Sequence, residues 1–452
     1  MMPGKKILLT VIILPIAAQI MAQVPVKLYY DSLTKKKIRA EFSYKNAEDS
    51  LMEGPYKSYH LNGRTAMTGQ YANGKKNGEF LEYFPNGKKR LEANFLEGKK
   101  DGPMLAYDST GQLLQKAFFA GNQLNDSLTA WYSGGGIKSK AIFRKDSIEG
   151  LAVEYYRDGK LKKELMHRKG RPHGLSKEYF PSGILSIEAN YTDGYLSGNY
   201  KVYYDNGQLD TESHLENGTK NGGFTTYTRE GKKIQVGYYL DGRYHGEFQT
   251  YYPEGPIKSK ITWQSGLKDG PAEYYFSNGK ISEEVEFESD KKISAKTFYE
   301  NGKTASIRKY GKGESPFGEW VYYYPDGKKK ESIVYNEAGK RNGLRILWDS
   351  IGKKITEESW LNDLKTGKTK TFHSNGKVNE IFLYQGNYVQ GIFQKFTENG
   401  KLSLSGIYKN SKKNGLWEYY DEDGNLLKVE TWRMDKISAT KNMKGKAKPK
   451  GK

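Results

Sequence analysis

A 24-residue unit repeats along most of this chain, and it constrains the fold more than any other feature. One copy, NGEFLEYFPNGKKRLEANFLEGKKDG, begins at Asn77, and we take its second residue, Gly78, as a marker. The marker slot recurs sixteen times, at Gly54, Gly78, Gly102, Asp126, Gly150, Gly174, Gly198, Gly222, Gly246, Gly270, Ile293, Gly318, Gly343, Gly367, Gly391 and Gly415. The step is 24 residues except for one of 23 before Ile293 and the two steps of 25 that follow it. Such a fixed period is typical of a repeat architecture.

Turn signals divide each unit into two strands. Other slots are counted from the marker, and slot +9 is a glycine in every copy, preceded in ten copies by Asn or Asp, as in Asn86-Gly87. Asn-Gly between two apolar runs is a strong hairpin signal, because both turn residues then adopt positive φ. We therefore expect a tight turn at Asn86-Gly87 and a second turn over Glu97–Gly102.

Aromatic residues occupy two slots of the unit. Slot +5 is aromatic in all sixteen copies, as at Tyr83, and slot +17 in fourteen, as at Phe95; His167 and Leu215 are the exceptions. Slot +15 is often small, and a small residue leaves room for a ring from the neighbouring strand. Its small residues include Gly69, Ala93, Ala117, Ala141, Ala189, Ser213, Gly237 and Gly406. We expect the two aromatic rows to stack along one face of a single-layer twisted sheet.

These features predict an all-β fold, an elongated open meander of about sixteen hairpin repeats. A closed propeller of eight four-stranded blades is the alternative. It would require alternate repeats to differ systematically, and the sequence shows no such alternation.

The two ends differ from the repeats. Residues 1–22 have two lysines, an apolar run and Ala22 before a plausible cleavage point, which predicts a signal peptide. Residues 23–53 are interpreted as a degenerate capping repeat, and residues 54–439 as the repeat array. Residues 440–452, with six lysines and few apolar residues, predict a disordered basic tail. The chain is therefore expected to be exported and to be periplasmic, outer-membrane-associated or secreted.

The formal net charge is +20, and many lysines lie at turns, as in Lys75-Lys76, Lys99-Lys100 and Lys412-Lys413. One interpretation is a solvated rim that prevents edge-to-edge aggregation. The other is attraction to an anionic surface, either lipid headgroups or an anionic envelope polymer. Nucleic acid is not an expected partner of an exported chain.

Searches for catalytic, cofactor and metal motifs give no candidate residues. The chain has no cysteine. Thr366–Thr369 resembles the end of a phosphate-binding loop, but Asn362 stands where that loop needs glycine. Asp421–Gly424 resembles the start of a calcium loop, but Leu426 stands at its glycine position. We therefore expect a protein that is not an enzyme and that has no cofactor.

The unit resembles the MORN repeat in its bacterial variant. The resemblance rests on NGEFLEYFPNGKKRLEANFLEGKKDG and HGEFQTYYPEGPIKSKITWQSGLKDG and extends from Gly54 to about Trp432. It implies a β-hairpin meander, and some relatives are membrane-associated scaffolds or phospholipid binders. Bacterial relatives often carry an antitoxin label, from which a signal peptide would be a departure, because antitoxins normally work in the cytoplasm.

The leading functional prediction is a non-enzymatic exported binding or scaffold protein that contacts an anionic envelope surface or a protein partner. One alternative is a carbohydrate- or peptidoglycan-binding array, in which exposed rings stack on sugars. Another is an antitoxin-like inhibitor of a partner protein. If the aromatic rows are buried, few rings remain for sugars.

Overall fold

The computed structural model describes residues 22–443, in which the regular elements are all β-strands apart from one short 3-10 turn, and this confirms the predicted fold class. The described chain divides between Gly207 and Gln208 into two compact units. Strands of the first unit are β1 (Val24–Tyr29), β2 (Ile38–Tyr44), β3 (Gly54–Tyr59), β4 (Thr65–Ala72), β5 (Lys75–Lys76), β6 (Gly78–Tyr83), β7 (Lys89–Leu96), β8 (Lys99–Tyr107), β9 (Leu113–Ala120), β10 (Gln123–Trp131), β11 (Ile137–Arg144), β12 (Ser147–Ile148), β13 (Gly150–Tyr155), β14 (Leu161–Arg168), β15 (Arg171–Tyr179), β16 (Leu185–Thr192) and β17 (Tyr195–Tyr203).

Strands of the second unit are β18 (Leu209–Glu216), β19 (Thr219–Tyr227), β20 (Lys233–Leu240), β21 (Arg243–Tyr244), β22 (Gly246–Tyr251), β23 (Ile257–Gln264), β24 (Leu267–Tyr275), β25 (Ile281–Glu288), β26 (Lys291–Phe298), β27 (Thr304–Tyr310), β28 (Pro316–Tyr323), β29 (Lys329–Tyr335), β30 (Arg341–Trp348), β31 (Lys354–Leu361), β32 (Leu364–Lys365), β33 (Gly367–Phe372), β34 (Val378–Gln385), β35 (Tyr388–Val389), β36 (Gly391–Phe396), β37 (Leu402–Lys409), β38 (Lys412–Tyr420), β39 (Leu426–Arg433) and β40 (Lys436–Asn442). A short 3-10 turn covers Lys312–Glu314.

Strands pair antiparallel in chain order, so each unit is a meander. The two-residue strands β5, β12, β21, β32 and β35 are exceptions, because the strand before each of them also pairs with the strand after it, as where β4 pairs with both β5 and β6. Among the described residues, β1 pairs only with β2 and β40 only with β39. The meander is therefore open, as the absence of alternating repeats predicted, and does not close as a propeller.

The loop that contains slot +9 is longer than the sequence signal suggested. The N–H of Gly87 donates to the carbonyl of Phe84 (2.8 Å), and the N–H of Phe84 donates to the carbonyl of Lys88 (2.8 Å). Gly87 has φ 89°, whereas Asn86 is not in the positive-φ region. The loop is thus a four-residue turn that ends on a left-handed glycine, and Pro85 fits the position after Phe84 because its φ is fixed near −65°.

The tight turn with two positive-φ residues lies instead between repeats. Glu97 and Gly98 have φ 49° and 83°, and Asn217 and Gly218 have 49° and 81°. Such a pair matches the right-handed twist of the flanking strands. The prediction of this turn type at Asn86-Gly87 was wrong. Asn-Gly also fits the end of the longer loop, so the dipeptide alone does not distinguish the two kinds of turn.

Strand pairing places the two aromatic rows on opposite faces, so the prediction of one shared face was wrong. Gly78 pairs with Phe95 and Phe80 with Ala93, so slots +2, +15 and +17 share a face, here called the packed face. Tyr83, at slot +5, is three residues from Phe80 on the same strand and projects from the other face, here called the outer face. Spacing across a turn does not reveal this, because the pairing shifts by one residue beside Tyr83.

A β-bulge at the marker adds two residues to each 24-residue repeat. Ala93 pairs with Met104 and Phe95 with Lys100, so Asn94 alone faces three residues of the next strand, among them Gly102. The marker glycines have positive φ, between 64° at Gly367 and 127° at Gly343. Glycine adopts such a backbone without steric cost.

The 23-residue step has a smaller bulge. Around Ile293, Glu286 pairs with Ser294 and Phe287 with Lys292, so one extra residue replaces two. The loss of one bulge residue shortens the repeat from 24 to 23. The step of 25 that follows contains the 3-10 turn Lys312–Glu314.

The ends are described in part. The hairpin β1–β2 occupies the expected capping repeat. The last strand, β40, continues to Asn442, three residues beyond the expected end of the array at Ala439. The predicted signal peptide, apart from Ala22, and the tail after Met443 lie outside the described residues.

Candidate binding surface

The packed face is a row of rings interleaved with small residues. The ring centroids of Phe393 and Trp417 lie 5.6 Å apart, and those of Tyr408 and Trp417 lie 5.1 Å apart. Trp417 is fully buried beside Gly406 at slot +15. The predicted role of the small slot is confirmed at Gly69, Gly237 and Gly406, where the ring comes from slot +2 of the next repeat. After Ala93, Ala117 and Ala141 that slot holds Met104, Leu128 and Ala152, which are not aromatic.

Slot +2 holds a ring in eight of the sixteen copies, and in one of the others it holds part of an ion network. Arg345 takes that slot, and its Nη1 lies 3.0 Å from Oε2 of the buried Glu358. Lys365 Nζ lies 2.7 Å from Oε1 of the same carboxylate. Burial raises the pKa of Glu358, but Lys365 and Arg345 outweigh burial and hold it below its usual value. The network fills the place on the packed face that a ring takes in other repeats. Each carboxylate oxygen of Glu358 lies beside a cation, so the negative charge of this side chain is compensated.

The paired lysines of the turns divide into a structural and an exposed member. Lys76 Nζ lies 4.6 Å from the ring centroid of Phe80, and Lys413 Nζ lies 4.3 Å from that of Trp417. Such cation–π contacts stabilise by about 0.5–1 kcal/mol at exposed sites. Lys75 and Lys412, the first members of these pairs, remain exposed. About half of the expected lysine edge is therefore used inside the sheet.

The lysines of the longer loops are also used between repeats. Nζ of Lys160 donates to the carbonyl of Pro181 (3.1 Å), and Nζ of Lys232 donates to that of Pro253 (3.0 Å). Lys280 and Lys377 likewise donate to carbonyls in the loop of the next repeat, those of Glu300 and Asn399. These cations join neighbouring turns, so the loop edge is less available to an anionic partner than the sequence suggested.

Slot +6 carries a second lateral ladder that the sequence analysis missed. The hydroxyl of Tyr156 donates to the carbonyl of Tyr179 (2.7 Å), and that of Tyr132 donates to Tyr155 (2.7 Å). His60 occupies the same slot, with Nε2 2.8 Å from the carbonyl of Tyr83. The recurrence of Tyr or His directly after the slot +5 aromatic was the available signal.

Tyrosines of slot +5 bind carboxylates on the outer face. The hydroxyl of Tyr107 donates to Glu92 Oε1 (2.7 Å), and that of Tyr179 donates to Glu164 Oε2 (2.8 Å). Burial, together with the bond to Glu92, raises the pKa of Tyr107 to about 12. Lysines cover some of the rings, as where Lys296 Nζ lies 4.7 Å from the centroid of Phe298. This row is thus half-buried and already occupied by polar partners.

Two exposed aliphatic patches lie on the outer face, at slots +1 and +16. The N-terminal patch consists of Ile142, Leu151, Met166 and Leu175, with exposed fractions of 51%, 42%, 39% and 42%. The C-terminal patch consists of Leu383, Ile392, Ile407 and Leu416, with exposed fractions of 38%, 58%, 43% and 55%. Elsewhere in the array, the aliphatic residues in these slots are Val334 and Leu344. Because most other repeats have no aliphatic residue in these slots, the fold does not require the patches. Contiguous exposed apolar groups of this kind indicate interaction sites.

Pairs of cations border the C-terminal patch. Lys409 pairs directly with Lys412 across a turn, and Arg433 pairs with Lys436 across the next. All four are exposed and make no ion pair among residues 22–443. Slot +18 lies two residues after slot +16, so Lys409 shares the outer face with Ile407. Like charges directly opposite each other are destabilising, and a bound anion would relieve them.

The N-terminal patch has a similar border. Arg168 pairs directly with Arg171, and Arg144 lies at the equivalent slot one repeat earlier. Asp193 Oδ1 lies 2.9 Å from Arg168, so this border is partly neutralised. The C-terminal patch therefore has the stronger uncompensated charge.

Ten stretches of the chain match the model of the MORN repeat variant, at residues 76–97, 148–169, 172–193, 196–217, 244–265, 268–289, 318–337, 365–385, 389–410 and 413–433. They recur with the period of the marker and contain its two-strand unit. The chain is a MORN-repeat protein. Arrays of MORN repeats form binding or scaffold surfaces, and both patches lie within the matched region except for Ile142.

Comparison with known proteins adds little to this family assignment. No curated protein matches the chain. The Tc holotoxin pore of Photorhabdus luminescens is 12% identical over 87% of this MORN-repeat chain and 25% of the toxin chain, with a TM-score of 0.14. The TcdB2-TccC3 structure is 11% identical over 88% of this chain and 28% of that one, also with a TM-score of 0.14. This chain thus spans about a quarter of the length of those chains, and the likeness says nothing about its activity.

Residues 22–443 contain no cluster of three or more His, Asp or Glu side chains that is placed to hold a metal ion. Nor does any helix there have the length and apolar character needed to span a bilayer. An open depression of about 480 Å³ lies where the bulge is reduced, lined by Glu273, Glu284, Glu286, Ser294, Lys296 and Lys309 among others. Its mixed charges select no ligand class.

Proposed function

We propose that this protein is a non-enzymatic, exported binding protein of the bacterial envelope that attaches to anionic lipid through the two aliphatic patches. The observation that supports this most directly is the C-terminal patch with the cation pairs beside it, Lys409 with Lys412 and Arg433 with Lys436. Aliphatic groups enter the headgroup boundary, while cations remain at the phosphates. Each cation near such a surface contributes about 1 kcal/mol.

Export is the part of the proposal that rests on sequence alone. Residues 1–22 have the charge, apolar run and small residue of a signal peptide. An exported protein meets anionic lipid on the outer side of the inner membrane and at the outer membrane. Both surfaces suit a face that combines aliphatic and cationic side chains.

A carbohydrate-binding array is the second candidate, because slot +5 does place a row of rings on the outer face. Two features weaken it. The hydroxyl of Tyr107 is taken by Glu92, and lysines lie over rings such as Tyr59 and Phe298. A sugar would have to displace these partners before stacking. An antitoxin-like inhibitor remains a third alternative, which a protein partner on the same face would support.

Vesicle sedimentation tests the lipid proposal. The chain lacking residues 1–22 is used, so that the apolar leader cannot insert by itself. We expect binding to vesicles of phosphatidylglycerol and phosphatidylcholine, little binding to phosphatidylcholine alone, and weakening with salt, because the Debye length falls to about 10 Å at 0.1 M. The double variants Ile392→Ser/Ile407→Ser and Lys409→Gln/Lys412→Gln should each reduce binding at least tenfold.

The control is a double variant with the same chemistry away from the patches. Leu96→Ser/Ile355→Ser removes side chains that are 58% and 44% exposed but isolated from both patches. It should bind vesicles like the parent chain, with an unchanged circular dichroism spectrum. Equal loss in patch and control variants would contradict the proposal. Binding to cell-wall sacculi that resists salt, together with no binding to vesicles, would favour the carbohydrate-binding array instead.

A further inference from the structure

The last strand, β40, offers an unpaired backbone edge. All residues of Lys436–Asn442 are exposed, and within residues 22–443 the strand pairs only with β39. The N–H of Met443 donates to the carbonyl of Leu427 at 2.8 Å, so the backbone groups of Met443 point towards β39. Lys441 lies two residues earlier, and its backbone groups therefore point the same way. Because these groups alternate along an antiparallel strand, the N–H and C=O of Thr440 and Asn442 point away from it. They form a template for another strand.

The first strand, β1, is a poorer template for strand addition than β40. In β1, the N–H of Tyr30 donates to the carbonyl of Lys37. By the same alternation, Pro25 and Lys27 face away from β2. Proline has no N–H, so it removes one donor from that outer edge, as is common in natural edge strands. β40 has no proline, and the two ends of the array are therefore not equivalent.

Charge and an apolar group at β40 restrict what can bind there. Lys436 and Lys441 are exposed and lie towards the two ends of β40. Ile437 pairs with Trp432 on the packed face and is 52% exposed. Two β40 strands placed side by side would bring these lysines together, which is unfavourable. An acidic strand with one apolar residue over Ile437 complements all of these features.

We propose that β40 binds an extended acidic segment of a partner protein as an additional antiparallel strand. Backbone bonds to Thr440 and Asn442 provide affinity, and side chains provide selectivity, as in other strand-addition complexes. An antiparallel partner places its N-terminal half beside Lys441 and its C-terminal half beside Lys436. The acidic residues therefore belong near both ends of the partner segment. This contact does not use the aliphatic patches, although Lys436 also belongs to the cation pair beside the C-terminal patch.

Fluorescence anisotropy with synthetic peptides tests the proposal on the full chain. The probe is a peptide of about ten residues, the upper length of common strands, with glutamates near both ends and alternating valine and threonine between them. Its control has the same composition with the glutamates together in the middle. We expect the first peptide to bind at least tenfold more tightly. On binding, amide exchange of Thr440 and Asn442 should slow at least tenfold.

Two variants at one position separate backbone from side-chain effects. Thr440→Pro removes an outward N–H and leaves the bonds to β39, so peptide binding should fall at least tenfold. Thr440→Ala keeps the N–H and should bind like the parent chain. Slow exchange of the Met443 amide reports that β40 remains paired in both variants.

Three results would overturn the proposal. One is equal affinity for the two peptides, which would indicate charge attraction without strand pairing. Another is unchanged amide exchange at Thr440 and Asn442 in the parent chain saturated with peptide. This measurement does not depend on Thr440→Pro, so it tests the proposal even if that variant disturbs β40. The third is a concentration-dependent dimer in sedimentation velocity that protects the same amides, which would make a second copy the occupant.

Discussion

Small residues of slot +15 show how single positions set the packing of this sheet. A Cβ added to Gly406 would lie 2.2 Å from Cδ2 of Trp417, and one added to Gly69 would lie 2.5 Å from Cδ1 of Phe80. Neither glycine has positive φ, so glycine is needed there for space and not for backbone conformation. The ring of the next repeat occupies the volume that a side chain would take.

Substitution at this slot should therefore destabilise the sheet through overpacking. Gly406→Ala should lower the free energy of unfolding by about 1–3 kcal/mol, because the fully buried Trp417 has to shift. Gly223→Ala is the matched control, since its added Cβ would find only the Gly237 carbonyl oxygen, at 4.0 Å. Urea denaturation followed by tryptophan fluorescence measures both. Equal midpoints for the two variants would show that the space beside Trp417 is not limiting.

At the scale of the element, each hairpin is tied to the next by side chains as well as by strand pairing. Hydroxyls of slot +6 and ammonium groups of slot +10 both donate to backbone carbonyls one repeat ahead. A lone two-stranded hairpin is marginal in water, so bonds of this kind add to the interface that stabilises it. The ladder is incomplete, because Phe180 occupies slot +6 of its repeat and has no hydroxyl.

The gap in the ladder allows paired loss and gain variants. Tyr156→Phe should cost about 0.5–1.5 kcal/mol, the net contribution of one hydrogen bond. Phe180→Tyr should give a gain of the same order, because its hydroxyl would reach the carbonyl of Tyr203 as other slot +6 tyrosines reach theirs. Amide exchange at the two hairpins reports each change. Opposite signs are expected, and the same sign in both would rule out the lateral bond as the cause.

At the scale of the whole molecule, every repeat contacts mainly its chain neighbours. Strand partners are nearly always consecutive in sequence, and no residue pairs with a distant repeat among residues 22–443. The stability of such an array is close to a sum of repeat and nearest-neighbour terms. Damage to one repeat should therefore remain local.

Gly87→Val tests this locality. Valine is strained at φ 89°, although a Cβ there would approach only Arg64, at 3.7 Å, so the cost lies in the backbone. Amide exchange should accelerate in β6 and β7 and remain unchanged in the second unit. Gly87→Asn is the control, because Asn tolerates positive φ far better than valine. Uniform acceleration along the chain would show global cooperativity instead.

The sequence by itself determined the repeat, its period, the all-β class, the open meander and the family. These depend on local signals, namely the glycine at slot +9 and the aromatic residue at slot +5 in all sixteen copies, and the aromatic residue at slot +17 in fourteen. Repetition makes such signals reliable, because a chance pattern does not recur at a fixed period. The small slot beside a ring was predicted for the same reason.

Only the tertiary structure decided which face each slot occupies and which groups remain free. Register depends on bulges and turn types, so Tyr83 and Phe95 lie on opposite faces although their spacing suggested one. Lys76 and Lys75 are neighbours in sequence, yet one covers a ring and the other is exposed. The aliphatic patches occupy slots that the repeat leaves variable. They became visible as surfaces once strand pairing had placed Ile392 beside Ile407.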